Sequence, residues 1–342
     1  SLDCDGQNIQ GMDLMMKRTV ILIPCYNESK TIADVVRDWK RTMPHADIYV
    51  YDNNSTDGTA ELAAQAGAIV RHEYRQGKGN VVRAMFRDIE ADCYIMVDGD
   101  NTYPASFGPV LEKEVLDGSA DMADGDRLSS TYFTENKRPF HNMGNVLVRR
   151  LINFLFHAKM NDIMTGARAF SWEFVKAYPV ISKGFEIETE MTIFALDRNF
   201  KIVERPIEYQ DRPAGSESKL NTYSDGIKVL KTIVNMFRTY RPFSFFTIVA
   251  AVFFLIGLGF FLPIFFDFVE TGVVAKFPTL ILVSSIFVIA TLNFFCGVVL
   301  SVLQKQSKQT FEMQLTTMHL IRRCMYTKQD KQPVGKEDEG GI

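Results

Sequence analysis

The chain has 342 residues, 46% of them hydrophobic, with 41 acidic against 38 basic side chains. That length supports one sizeable domain plus an appendage, and the near-neutral balance argues against a nucleic-acid protein, which carries a basic excess. Five cysteines (Cys4, Cys25, Cys93, Cys296, Cys324) show no CxxC or Cys/His spacing, and an odd, scattered set fits a reducing compartment better than a disulfide framework.

Residues 1–18 lack the apolar core and basic start of a signal peptide and read as a disordered lead or cloning remnant. From Val20 the chain reads strand (VILIPCYN), helix, strand (DIYVYD), helix, strand (AIVRH), helix, strand (CYIMVD). In the first helix Ile32, Val35, Val36, Trp39 and Met43 share one face, with Lys30, Asp34, Arg37 and Lys40 elsewhere. Short apolar strands alternating with amphipathic helices predict an α/β domain with a mostly parallel sheet wound on both sides. In such sheets ligands bind beyond the carboxyl ends of the strands. Polar residues stand at those ends: Asn27-Glu28, Asp52-Asn53-Asn54 and Asp98-Gly99-Asp100.

The stretch YIMVDGDNTYP poses the sharpest question. Asp98 and Asp100 follow an apolar strand and would repel each other if left unpaired. If Gly99 lets the chain turn, both reach one site, where a divalent cation would remove the repulsion and hold a diphosphate; Mg²⁺ takes one or two carboxylates plus substrate phosphates. The ordinary alternative is a helix N-cap or a solvated turn. Asp52, at the end of the second strand, suits accepting a hydrogen bond from a base, whereas Asp57 or Ser55 in STDGT also suits a helix cap. Pro24 and Tyr26 of PCYNES would line the same pocket. GKGN, at 77–80, offers Lys78 and backbone N–H groups at a helix start, suited to an anion.

Beyond Pro242 the composition changes. Phe243 to Phe266 is a run of roughly 24 residues without a charge and Phe277 to Leu303 one of roughly 27, each long enough to cross a bilayer. Lys228, Lys231, Arg238 and Arg241 precede the first run; Lys305, Lys308, Arg322 and Arg323 follow the second. Basic flanks stay in the cytoplasm, so both termini and the soluble domain are expected there, at a plasma (inner) membrane. Before the first run, Ile227, Leu230, Val234 and Phe237 share a face, which suits an amphipathic helix at the bilayer surface. Gly257, Gly259 and Gly297 would permit close helix packing and a homo-oligomer. The tail after Gln304 is mixed, and its last residues, KQDKQPVGKEDEGGI, read as disordered.

PCYNE, then D-N-x-S-x-D-G-T, then DGD, in this order and spacing, resemble a family-2 glycosyltransferase with the GT-A fold. Downstream, GDR (Gly125–Arg127), NDIMTGARAF (Asn161–Phe170), GFEIETEM (Gly184–Met191) and RPIEYQDRPAGSESKL (Arg205–Leu220) are similar to its dolichyl- or polyprenyl-phosphate sugar synthase branch. The resemblance covers about residues 19–242, and the two-span hairpin matches a bacterial subgroup. It implies a GT-A domain over 19–222, an interfacial helix over 223–242, transmembrane helices over 243–303 and a cytoplasmic tail over 304–342.

It also implies a chemistry: inversion at the anomeric carbon, with a nucleotide-sugar donor (UDP-glucose or UDP-N-acetylglucosamine favoured, GDP-mannose next) and a polyprenyl phosphate acceptor. Carried over by motif, Asp98 and Asp100 would hold Mg²⁺ or Mn²⁺, and Pro24, Tyr26, Asn27, Glu28, Asp52, Asp57, Lys78 and Gly99 would line the nucleotide. Arg212 and Lys219 would close over the donor diphosphate, while Arg127, Arg138 and Arg168 would grip the lipid phosphate. Asp162, with Asp100, is the implied catalytic carboxylate; orienting Arg168 or the acceptor is its alternative to removing a proton. Glu186, Glu188 and Glu190 either touch the sugar or form a solvated helix start. One departure stands out: the commoner pattern is DADLQ, whose Gln helps ligate metal, and Thr102 stands there here. A processive polysaccharide synthase, the nearest rival, would carry QxxRW, but the two tryptophans are Trp39 in DWK and Trp172 in SWE. A non-catalytic nucleotide-sugar binder is the other rival, and the intact acidic pair argues against it.

Overall fold

The computed structural model describes residues 17–128, 139–184, 186–208 and 234–329. The chain divides into two compact units, residues 1–226 and 227–342.

In the first unit, seven strands form one sheet in the order β3-β2-β1-β4-β6-β5-β7. The alternation runs as expected: β1 (Thr19–Cys25), α1 (Ile32–Thr42), β2 (Asp47–Asp52), α2 (Thr59–Gln65), β3 (Ile69–His72), α3 (Lys78–Asp88) and β4 (Cys93–Met96). A short 3₁₀ turn, Ala105–Phe107, leads into α4 (Gly108–Leu116) and β5 (Met122–Asp126). After α5 (Pro139–Phe156) come β6 (Arg168–Ser171), α6 (Trp172–Ala177), α7 (Ile187–Asp197) and β7 (Ile202–Pro206). β1 pairs in parallel with β2 and β4, β2 with β3, and β5 with β7.

β6 alone runs against both its neighbours, β4 and β5. This reversal positions the site. Because Arg168, the first residue of β6, pairs with Met96 of β4 and Asp124 of β5, the preceding segment enters at the carboxyl ends of those strands. Residues 161–167 therefore join the loops where ligands bind.

Both faces of the sheet are covered, so central strands are apolar on both sides: Val20, Ile21, Leu22 and Ile23 are all fully buried. On one face Ile21 and Ile23 pack with Val36, Trp39, Met43 and Leu111. On the other, Phe170 stacks on Phe174 at 5.0 Å and meets Phe86 edge-on at 5.6 Å.

The second unit contains α8 (Pro242–Thr271) and α9 (Phe277–Gln329), preceded by helical residues 234–240. Both long helices carry stretches apolar enough to cross a membrane, with mean hydropathy 2.7 and 2.5, and little of either stretch is buried. Gly257 faces Phe287 across the hairpin, and Gly297 lies against Phe246 and Phe243. Two of the three small residues thus serve the hairpin itself, while nothing stands within 4 Å of a carbon added at Gly259. Of the expected apolar face Val234 is exposed and Phe237 half-buried, with Met236 buried beside them; Ile227 and Leu230 lie outside the described residues. Beyond the apolar run that ends at Leu303, α9 continues as helix to Gln329. At 1.5 Å per residue it is about 80 Å long, far more than a bilayer core requires.

At the start of α4, an added carbon on Gly108 would stand 2.5 Å from Trp39 Cζ3 and 2.6 Å from the Met43 sulfur, in the middle of the core. Gly108→Ala is expected to destabilise the protein by about 1–3 kcal/mol through overpacking. Thermal unfolding of the detergent-solubilised variant checks this, with an unchanged Tm as the contrary result.

Candidate active site at the carboxyl edge of the sheet

The loops after β1, β2 and β3 are stitched together by side chains the sequence placed in the pocket. Asn27 accepts from the Thr56 N–H at 2.9 Å, and its own N–H donates to Ser55 Oγ at 2.9 Å. Asn53 donates to Glu73 O and Arg75 O and accepts from the Gly77 N–H. Asn27, Asn54 and Asn101 adopt positive φ where the chain leaves β1, β2 and β4, a conformation that asparagine tolerates better than bulkier residues. Asp57, exposed at this edge, ties two loops together. One of its oxygens accepts from Thr59 N–H and O–H and the other from the Ser29 N–H. Asp52 is buried, accepts from the Ser55 N–H and lies 3.4 Å from His72 Nδ1. Tyr26 is exposed at the same edge, and Pro24 and Glu28 are half-buried.

The acidic pair lies at a turn. β4 ends at Met96, and the chain turns at Gly99 and Asp100. Gly99 is a close-contact position: an added carbon would meet Cys25 Sγ at 2.7 Å, and its carbonyl accepts from Thr31 Oγ1 at 2.7 Å. Asp100 is buried, and one of its oxygens accepts from Thr102 O–H at 2.6 Å and Thr102 N–H at 3.2 Å. Thr102 therefore orients Asp100 through the carboxylate. Asp98 remains partly exposed and accepts from Lys78 Nζ at 2.6 Å; the same ammonium donates to Glu188 at 2.6 Å. Burial works against the Lys78 charge, but the Asp98 and Glu188 carboxylates outweigh it and hold its pKa well above the ordinary lysine value. Behind Asp98, an added carbon on Gly166 would stand 2.2 Å from Asp98 Oδ2. Only glycine leaves room there for the carboxylate. Among the described residues no three His, Cys, Asp or Glu side chains form a cage of their own. Two carboxylates on a fixed turn nevertheless fit a hard divalent ion that completes its shell with substrate phosphates.

The segment before β6 supplies a second half. Asp162, 2% exposed, faces Arg127 at the end of β5: Arg127 Nε donates to Oδ2 at 2.7 Å and Nη2 to Oδ1 at 3.1 Å. Arg127 Nη2 also donates to Met164 O at 2.8 Å, and Met164 N–H donates to Asp162. A carboxylate so engaged orients a guanidinium. Its partner is Arg127, not Arg168.

The assignment of Arg168 to the lipid phosphate is corrected. Its side chain is fully buried, donating to Ile163 O, Thr165 O and Thr192 Oγ1 and lying 3.4 Å from Asp124. It fastens the 163–165 turn from inside the sheet. Asp124 is buried, and among the described residues neither of its oxygens has a hydrogen-bond partner. Burial pushes its pKa up to about 7; Arg168 opposes this, and Glu204, Asp162 and Asp126 add to it. Arg138, Arg212 and Lys219 lie outside the described residues.

The profile of Glycosyl transferase family 2 matches residues 20–178. Glycosyltransferase AglJ of Haloferax volcanii is 35% identical over 254 residues, which are 74% of this chain and 83% of that protein. The chain belongs to Glycosyl transferase family 2. A dolichyl-phosphate hexose transferase of the same organism is 30% identical over 217 residues, 63% of this chain and 92% of that protein. The fold is shared with a solved glucosyl-3-phosphoglycerate synthase from Mycobacterium tuberculosis, in complex with Mn²⁺, UDP-glucose and phosphoglyceric acid. That structure matches with TM-score 0.52 and 20% identity over 68% of this chain and 84% of that one. As a family-2 glycosyltransferase, this chain places its acidic pair, Asp52 and Arg127 along one sheet edge. Sequence reasoning left Glu188 undecided and missed Gly166, His72 and Glu204. The GARAF glycine was the available signal for Gly166.

Because Asp124 holds a proton in the fold that it gives up in the unfolded chain, its contribution falls as pH rises from about 4 to about 7 and is level above that. Asp124→Asn fixes the neutral form. The stability of wild type minus Asp124→Asn is expected to drop by on the order of 1 kcal/mol per pH unit across that window. Denaturation at a series of pH values checks the sign; a difference that rises or stays constant contradicts it.

Proposed function

We propose that this glycosyltransferase moves a hexose from a nucleotide sugar to a polyprenyl phosphate with inversion, giving a polyprenyl-monophosphate sugar. The observation that carries the reading is the fixed Arg127 fork at the end of β5, on the same sheet edge as the Asp98–Asp100 turn, in a chain that also has two membrane-length helices. A guanidinium held rigid in this way suits a phosphate. The dolichyl-phosphate hexose transferase relative supports a lipid phosphate as the acceptor.

The reaction needs no base. A phosphate monoester has a second pKa of about 6 and is mostly dianionic at neutral pH, so its oxygen attacks the anomeric carbon directly while the bond to the nucleotide diphosphate breaks. The chain's contribution is alignment and charge. Asp98 and Asp100 would hold Mg²⁺ or Mn²⁺ against the donor diphosphate. That ion would neutralise charge on the departing group. Lys78 and Glu188 lie beside Asp98, where the sugar end of the donor would follow from the diphosphate. Asp52 would accept from the base. Asp162 would keep the Arg127 fork aimed at the acceptor.

UDP-glucose or UDP-N-acetylglucosamine is the favoured donor and GDP-mannose the next. The basic flanks of α8 and α9 support a cytoplasmic catalytic domain. Purified protein, labelled nucleotide sugars, Mn²⁺ and undecaprenyl phosphate provide the test. Transfer of label into a lipid is expected, and binding of all donors without labelled lipid would favour a non-catalytic binder.

Asp98→Asn and Asp100→Asn are each expected to lower transfer more than about 100-fold in protein that remains folded; wild-type rates in either would remove the metal assignment. Arg127→Lys keeps a charge beside buried Asp162 but loses the fork. It is expected to raise the acceptor KM about tenfold while leaving the donor KM within about twofold. The reverse pattern in steady-state kinetics would assign Arg127 to the donor.

A further inference from the structure

The turn that carries Asp162 is tied down from several directions. Asn153 closes its start, donating to Met160 O and accepting from Met160 N–H, both at 2.9 Å. Arg149 donates to Asn161 O at 3.2 Å. Arg168 fastens Ile163 and Thr165 from below. The two N–H groups at the centre of the turn, those of Asn161 and Asp162, go to a strand remote in sequence. Both donate to Glu204 Oε1 at 2.9 Å, and Asn161 N–H also approaches Oε2 at 3.0 Å.

Glu204 sits on β7, where it pairs in register with Asp124 of β5. A carboxylate on this strand faces the buried carboxylates of Asp124, Asp126 and Asp162, an arrangement that is electrostatically unfavourable. A buried or half-buried acid next to like charges is held there by what it binds. What Glu204 binds is the backbone of one turn. Charge-assisted hydrogen bonds to N–H groups are about twice as strong as neutral ones. They fix the direction in which the Asp162 side chain leaves the turn, and Asp162 in turn fixes both arms of the Arg127 guanidinium.

We propose that Glu204 is a positioning residue for transfer: by clamping the Asn161 and Asp162 N–H groups it sets the Asp162–Arg127 pair in the orientation that receives the acceptor phosphate. The inference rests on the acceptor reading of Arg127. Glu204 touches no reacting atom. It acts through two intermediaries, and the geometry it supplies requires an acceptor oxygen at Oε1 rather than a charge as such. Glutamine can therefore replace it, because an amide oxygen accepts from both N–H groups. Alanine cannot, and aspartate, one methylene shorter, falls short of the turn.

Two measurements on the full-length protein test this, one independent of activity. Amide hydrogen exchange, read by mass spectrometry over residues 160–165, is expected to quicken at least tenfold in Glu204→Ala and Glu204→Asp and to stay near wild type in Glu204→Gln. Steady-state kinetics with a nucleotide sugar and undecaprenyl phosphate are expected to show the acceptor KM raised about tenfold in the first two variants, with the donor KM within twofold and Glu204→Gln largely restored. Unchanged exchange in Glu204→Ala and Glu204→Asp overturns the clamp, as does equal impairment of Glu204→Gln. Faster exchange with a raised donor KM and an unchanged acceptor KM keeps the positioning role and overturns the acceptor assignment of Arg127. Should Glu204→Ala fail to fold, Glu204→Asp carries both readouts, and wild-type values in it overturn the proposal.

Discussion

Negative charge crowded onto one edge of a sheet is the constraint around which this domain is organised. The turn after β4 carries Asp98 and Asp100, β5 ends in Asp126, β7 contributes Glu204 and α7 contributes Glu188. Left alone, such a group of buried acids would protonate or push the strands apart. Buried cations compensate it locally. Lys78 bridges Asp98 and Glu188, Arg127 binds Asp162, and Arg168 lies beside Asp124. Ion pairs of this kind add little net stability compared with an apolar core, but losing one partner is costly because the other is left buried and charged. They fix geometry more than they strengthen the fold.

The compensation is incomplete, and its shortfall differs along the edge. At Asp124 the low-dielectric surroundings prevail, and its pKa rises to about 7 despite Arg168. At Asp98 the carboxylate keeps some exposure and shares its cation with Glu188. The inner acid is therefore part of the framework, while Asp98 keeps part of its surface accessible and Asp100 is buried against Thr102. The proposed transfer of a sugar between phosphates would need this separation, because two anionic substrates would have to meet cations rather than the carboxylates that hold those cations in place.

Much of the edge was legible in the sequence because it is local. A strand's apolar run, the polar residues that follow it and the next amphipathic helix are contiguous, so β1 to β4 and the DGD turn could be read directly. What was not legible depended on pairing distant segments. Nothing in GARAF announces that β6 runs antiparallel between β4 and β5, and without that the Arg168 guanidinium looks like a ligand for a phosphate. Once the strand is placed, Asp124 and Thr192 surround it and no route to a ligand remains. The partners of Asp57 were hidden in a similar way: its motif suggested a nucleotide contact or a helix cap, and Ser29, one of the residues it holds, comes from another loop. The extension of α9 past Leu303 was hidden by composition, since a polar helix and a polar tail share the same residues.

The central claim is that the Asp98–Asp100 turn holds a divalent ion against the donor diphosphate. It is tested most directly by an anomalous-difference map at the manganese edge, from crystals grown with Mn²⁺ and a nucleoside diphosphate. The account predicts a peak at coordinating distance from both the acidic turn and the diphosphate. A nucleotide bound at this edge with the manganese peak elsewhere, or with none, would contradict it.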